Sequence, residues 1–382
     1  MPRGLVRRLL HPVLGQFAMA STIRIGISGW RYEPWRGVFY PKDLAQRREL
    51  EFASRAFPTI EINGSFYSLQ HPDSYRCWYE ATPPGFVFAI KGGRYITHLL
   101  RLRNAERAVA NFFASGIFNL REKIGPFLWQ FPPQFRYEEE RFENFFRMLP
   151  RDLNAALCLA RRRDTRMTGR CRLAIHDNVA LRHAVEIRHD SFVDERFVAQ
   201  LRRHRIALVV ADTAGKWPYY EDVTADFMYI RLHGDAELYV SGYTNEALDR
   251  WAARIRAWAD GGEPPDAKHI SGTPAARRRS RDIYCYFDND VKVRAPIDAH
   301  TLMRKLRLPV SVNAAVAAAA PEIFDAATLD SLPYALPRID TSEPVLRRVG
   351  WQSGEVAAQG FERIPLFLDF AARSDTSPAE RP

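Results

Sequence analysis

Cysteine is scarce in this chain of 382 residues: four, at positions 77, 158, 171 and 285. They form no CxxC pair and stand at no metal-type spacing from a histidine, which removes a disulfide framework and a zinc ribbon from consideration. Scattered thiols of this kind read as reduced, in a cytoplasmic protein, and Cys285 lies in a strand-like run where a core role is expected. Long apolar runs are also missing. Nothing approaches the roughly 20 residues a membrane helix needs, so no membrane partner is expected. The sequence has no P-loop, GxGxxG, HExxH or GxSxG, and "GISGW" alone does not make a phosphate loop.

Basic charge and short apolar runs are abundant. The formal net charge is +10, which favours anionic partners such as phosphate esters, carboxylates or nucleic acid without choosing among them. With 46% hydrophobic residues the chain can bury a large core. Eight runs read as buried strands: "IRIGISG" (23–29), "TIEIN" (59–63), "FVFAIKG" (86–92), "PFLWQFP" (126–132), "AVEIRH" (184–189), "ALVVAD" (207–212), "FMYIRLHG" (227–234) and "DIYCYFDND" (282–290). Near-continuous apolar runs suit parallel strands covered on both faces. The gaps hold helical periods: Leu50, Ala53 and Phe57; Leu248, Trp251, Ile255 and Trp258; and the amphipathic "ERAVANFF" and "ERFVAQLRRH".

This alternation predicts a (β/α)8 TIM-type barrel over residues 21–310. The gap after the sixth run, "TAGKWPYYEDVTAD", has little room for a helix. Residues 261–281, rich in Gly, Pro and Arg, read as a mobile basic insertion before the last strand. Residues 161–172 carry another arginine run; both basic stretches read as solvated loops or as phosphate contacts. Residues 1–20 read as an unstructured arm, or as sequence ahead of a start at Met19, in preference to a secretion signal. Residues 311–382 have no clear strand period and read as a partly ordered tail, in which "FERIPLFLDFAAR" could form a short helix.

A period of two along the runs places polar residues at their C-terminal ends, opposite the helix-packing side. Glu61 and Asn63 alternate with Ile60 and Ile62; Glu186 and Arg188 with Val185 and Ile187; Tyr229, Arg231 and His233 with Met228, Ile230 and Leu232. Lys91 is in phase with Ala89, Gln130 with Leu128, Asp212 with Val210 and Ser28 with Gly26. Charges inside a parallel sheet are costly unless paired or used, and a barrel gathers such strand ends around one mouth. The ring reads either as an ion-pair network closing the barrel or as an active site.

These stretches, with "GISGWRYEPWRGVFYP", "IEINGSFY", "FAIKGGRYITH", "LWQFPP" and "YCYFDND", resemble the YecE-like family over residues 23–308. The resemblance implies a TIM-type barrel and no established reaction. The family's motif positions fall on Trp30, Glu61, Asn63, Phe66, Tyr67, Lys91, Thr97, His98, Gln130, Glu186, Arg188, Arg231, His233 and Asn289. The last motif departs, reading "FDND" where "FNND" is expected.

The function expected from this reading is acid–base chemistry on a polar anionic substrate. Glu61 or Glu186 would be the base and His233 its partner. Substrate would meet Ser28, Trp30, Asn63, Tyr67, Lys91, Gln130, Arg188, Asp212, Arg231, Tyr286 and Asn289. The alternative is nucleic-acid binding or phosphodiester chemistry on the basic rim, with the aromatics of "GKWPYY" as stacking groups. No cofactor is expected. A divalent metal on Glu61, Glu186, Asp212 and His233 is a further reading, weakened by the three nearby cations.

Overall fold

The computed structural model describes residues 21–239, 241–290 and 293–309. The arm expected over 1–20 and the tail expected over 311–382 lie outside them. Eight parallel strands close in sequence order: β1 Ile23–Ser28, β2 Thr59–Ile62, β3 Val87–Lys91, β4 Ile124–Gln130, β5 His183–Glu186, β6 Ala207–Asp212, β7 Phe227–Leu232 and β8 Asp282–Phe287. β8 closes the sheet onto β1 through Gly26↔Tyr286 and its neighbours.

The helices are α1 Glu49–Ala56, α2 Gly64–Tyr67, α3 Pro72–Ala81, α4 Glu106–Ala114, α5 Glu139–Met148, α6 Leu153–Ala160, α7 Glu195–His204, α8 Asn245–Ala259 and α9 Arg294–Lys305. Their buried stripes follow the sequence period: Leu248, Trp251, Ile255 and Trp258 on α8 are all buried. Side-chain caps fix several starts. Asp194 accepts from Arg196 N at α7, and Thr244 accepts from Ala247 N at α8. Residues 213–226, after β6, contain no helix, as their length predicts. None of the described helices is long and apolar enough to cross a membrane.

Inside the barrel, small residues face large ones. Ala89, Ala184, Ala207 and Ala211 make room for Tyr229, Tyr284 and Tyr286, which share the interior with Leu128 and Phe227. The Tyr229 and Tyr286 rings lie 5.1 Å apart, and Tyr286 is tied to Thr59 through their hydroxyls at 2.8 Å. This apolar plug supports the polar layer above it. Gly26 is needed here, because a Cβ would meet Thr59 O at 2.0 Å where β1 and β2 converge.

The 261–281 segment is anchored, in contrast to the mobile insertion its composition suggests. Ile270 and Ser271 N donate to the Asp222 carboxylate at 2.7 and 3.0 Å, and Lys268 N donates to Glu221 at 3.0 Å. Arg281 holds Gly262 O and Ala276 O. The anchoring carboxylates lie in the β6–β7 connection, some fifty residues away, beyond the reach of a local composition argument.

Candidate active site at the barrel mouth

Arg231, at the end of β7, organises the mouth and is fully buried. Its Nη2 donates to Glu61 Oε1 at 2.9 Å and to Asp288 Oδ2 at 2.7 Å; its Nη1 donates to Glu186 Oε2 at 2.8 Å. Nε reaches Glu61 Oε2 at 3.2 Å, and Nη1 also reaches His233 Nε2 at 3.3 Å. All five N–H groups are thereby directed at protein acceptors. The guanidinium expected to bind substrate is instead the clamp that joins β2, β5, β7 and the end of β8.

The carboxylates are equally committed. Glu61 accepts Ser28 Oγ at 3.0 Å and Tyr229 Oη at 2.5 Å besides Arg231. Glu186 accepts Gln130 Nε2 at 2.7 Å and Arg188 Nε at 2.8 Å besides Arg231. Burial raises the Glu186 pKa, but Arg188 and Arg231 outweigh it and hold the group well below the usual carboxylate range. With each side chain fully buried and its oxygens occupied, neither glutamate has the access a general base needs. His233 is committed too. Nε2 faces Arg231, Nδ1 lies 3.0 Å from Asp288 Oδ2, and burial together with Arg231 lowers its pKa. Glu61, Glu186 and His233, expected as base and acid, are instead parts of the frame around Arg231.

Four further expectations are corrected. Asp212 points outward, because the inward members of β6 are Ala207, Val209 and Ala211. It accepts Tyr243 Oη at 3.2 Å and lines a lateral cavity beside Trp251 and Arg254. Trp30 packs outside the sheet, edge-on to Trp78 at 5.3 Å. Asn289 is out of phase and bonds Asp298 Oδ2 and Ser241 O. Tyr286 lies one layer below the mouth, fully buried. The metal set fails for the same reasons: Asp212 is elsewhere, and a guanidinium fills the space between the remaining members.

Asp288 was missed. It follows Tyr284 and Tyr286 in the inward phase of β8 and is the aspartate that makes the motif "FDND". Arg231 and His233 outweigh its burial and hold its pKa far below the ordinary value. Its Oδ1 has no partner among the described residues, and the side chain is 13% exposed.

The open groups form a second set. Lys91, closing β3, is buried, yet its Nζ makes no hydrogen bond or ion pair among the described residues; it sits over the Phe66 ring at 4.5 Å. Gly92 fixes the turn that follows, since a Cβ there would meet the Trp129 indole at 2.3 Å. Burial and Arg231 pull the Lys91 pKa down to about 8. Arg188 commits Nε and Nη2 to Glu186 and Tyr239, leaves Nη1 without a partner among the described residues, and stacks on Trp217 at 3.7 Å. His98 packs edge-on to Phe66 at 5.1 Å and takes Thr97 Oγ1 at 2.9 Å through Nδ1. Burial, then Lys91 and Arg188, hold its pKa at about 4, so it is neutral in a field of cations. Tyr67 stands on the rim under Arg94, half exposed, and Asn63, just after β2, has a buried Oδ1 without a partner among the described residues.

Comparison with known proteins agrees with this architecture. The family described as "Protein of unknown function DUF72" matches residues 24–322. The UPF0759 protein YecE of Escherichia coli K12 is 24% identical over 287 residues, which is 75% of this chain and 93% of that protein. The UPF0759 protein YunF of Bacillus subtilis is 28% identical over 123 residues, covering 31% of this chain and 43% of YunF. Among solved structures, a DUF72 family protein from Thermotoga maritima is similar with a TM-score of 0.57 at 25% identity, over 75% of this chain and 99% of that one. One from Enterococcus faecalis has a TM-score of 0.55 at 16% identity, over 76% of this chain and 97% of that one.

Proposed function

We propose, starting from the fact that this chain belongs to the DUF72 family of unknown function, that it is an enzyme acting on a small phosphate- or carboxylate-bearing substrate at the barrel mouth. One observation carries the reading. Lys91 is a largely buried side chain whose Nζ has no acceptor among the described residues, beside carboxylates that Arg231 holds. Burying an amine without a partner is costly, and such a group is characteristic of sites where a ligand completes the set. Arg188 Nη1 offers a second donor for the same anion, as a planar group held rigid by Trp217 and Glu186. The Arg231 network is then the frame: it orients Glu186, which holds Arg188, and Asp288, which is partly exposed at the mouth.

The depressed pKa of His98 supplies the assay. It is lowered in part by Lys91 and Arg188, so an anion seated between those cations raises it. Inorganic phosphate titrated against the full chain is expected to move the His98 midpoint up from about 4, followed by NMR of the imidazole. Lys91→Met should abolish the response to phosphate. A His98 midpoint indifferent to saturating phosphate overturns the reading.

Nucleic-acid binding has its own observation. Tyr67, Tyr95 and Leu99 are exposed beside Arg94, Arg101 and Arg103, a basic-aromatic rim next to the cup. The Trp217 ring counts against it, because its face is already covered by Arg188. A single-stranded oligonucleotide whose affinity falls steeply with salt and depends on Tyr95 would favour this second reading.

A further inference from the structure

We infer that Lys91 is a covalent catalyst, forming an imine with the carbonyl group of a substrate that also carries a carboxylate or phosphate. The inference rests on the anion-binding reading above and names the chemistry of that site. Three features of the cup support it.

The first is that the amine is unoccupied. A lysine that serves only as a counter-ion is found against its carboxylate, yet Nζ of Lys91 has no ion pair among the described residues although Glu61, Glu186 and Asp288 all lie at the same mouth. Arg231 takes those carboxylates and keeps them from the amine. The second is availability of the free base. Burial and the neighbouring guanidinium bring the pKa to about 8, so a substantial fraction of Lys91 is neutral near pH 7.5, whereas an exposed lysine is almost wholly protonated there. The third is the floor. Phe66 lies under Nζ at 4.5 Å, and an aromatic face stabilises a cationic nitrogen whether it is an ammonium or an iminium.

The chemistry balances without a further reagent. Neutral Nζ attacks the carbonyl carbon; a C–N bond forms, the carbonyl π pair moves to oxygen, and a proton passes from nitrogen to that oxygen. The carbinolamine hydroxyl takes a second proton and leaves as water while the nitrogen lone pair closes the C=N bond. Starting from the ammonium form, the products are one iminium and one water. Arg188 Nη1 is the open donor for the substrate's anionic end. The iminium draws electrons from the neighbouring carbon, and this is what would make the amine useful to a lyase or isomerase.

The sequence makes the test clean, because the chain has seven lysines: 42, 91, 123, 216, 268, 292 and 305. The full chain is treated near pH 7.5 with glyoxylate, a small carboxylate-bearing aldehyde, and cyanoborohydride, then mapped by peptide mass spectrometry. Lys91 is expected to be alkylated at least about tenfold faster than any other lysine, given its larger free-amine fraction. Inorganic phosphate should protect it, and with propionaldehyde, which lacks the anionic end, the preference should persist but be smaller. Labelling spread over the other lysines with Lys91 spared overturns the imine. Lys91→Arg separates the two claims: it keeps a cation but cannot form an imine. If the wild type shows the phosphate response at His98 without selective trapping, anion binding stands and covalent catalysis falls. If both are absent, both fall. If Lys91→Arg keeps the phosphate response and loses only the adduct, both stand.

Discussion

Two buried lysines, one at each end of the barrel, are held in opposite ways. At the lower end Lys123, just ahead of β4, donates from Nζ to Tyr79 O at 2.6 Å, Thr82 O at 2.7 Å and Thr82 Oγ1 at 3.0 Å. Arg182, just ahead of β5, is paired with Asp282 at 2.7 Å and lies near Asp226. At the upper end Arg231 is saturated in the same manner, yet Lys91 beside it has no acceptor among the described residues. A three-donor ammonium with three acceptors is a structural element. The same ammonium with none is a cost to folding that binding can recover. In this fold the C-terminal end of the strands is where chemistry is placed, and the difference between Lys91 and Lys123 falls on the expected side.

The largest test of the comparison removes the clamp. Arg231→Ala strips Glu61 and Asp288 of their guanidinium, leaves Glu186 with Arg188 alone, and is expected to lower unfolding stability by about 3–5 kcal/mol in urea denaturation. A loss below about 1 kcal/mol would mean that the network is not what holds the mouth together.

Next in size is a pH effect with a definite sign. The Lys91 pKa is lower in the folded chain, about 8 against an ordinary 10.5, so the unfolded chain binds more protons between those values. Stability attributable to this group therefore rises with pH across that window, by on the order of 3 kcal/mol, and the penalty is fully present below it. Comparing wild type with Lys91→Met from pH 7 to 10.5 isolates it: the variant should be the more stable at pH 7, and the gap should close as pH rises. Parallel curves would refute the unpaired assignment.

The lower end should behave in reverse. Lys123→Met removes three hydrogen bonds and leaves the Thr82 carbonyl without its ammonium donor, with an expected loss of about 1–3 kcal/mol and no change in the phosphate response of His98. The smallest effect is at the rim. Trp217→Leu removes the surface under Arg188 and should weaken phosphate binding by about 1 kcal/mol, roughly fivefold, read by the same titration.

Much of this was visible in the sequence, for reasons that also explain the failures. All eight strands stand where apolar β-branched runs stand, and alternation placed Lys91, Gln130, Glu186, Arg231 and Ser28 correctly at the mouth. Phase can be read only where polar and apolar residues alternate. "ALVVAD" is apolar on both faces, so its final aspartate carried no phase information, and Asp212 faces the helices instead. In "YCYFDND" the inward phase runs through the two tyrosines to Asp288, but polar residues at 288, 289 and 290 give no contrast, and the family resemblance points to Asn289 instead. Which charges are saturated and which are open is a matter of side-chain geometry, and Arg231 and Lys91 look alike until their partners are seen.

The most direct measurement is the titration of the Lys91 side chain itself, by NMR on lysine-labelled protein in which only seven signals need assignment. The account predicts one lysine with a midpoint near 8, assigned by Lys91→Arg, that moves up when phosphate is added. A Lys91 signal that titrates near 10.5 with the others and ignores phosphate would contradict it.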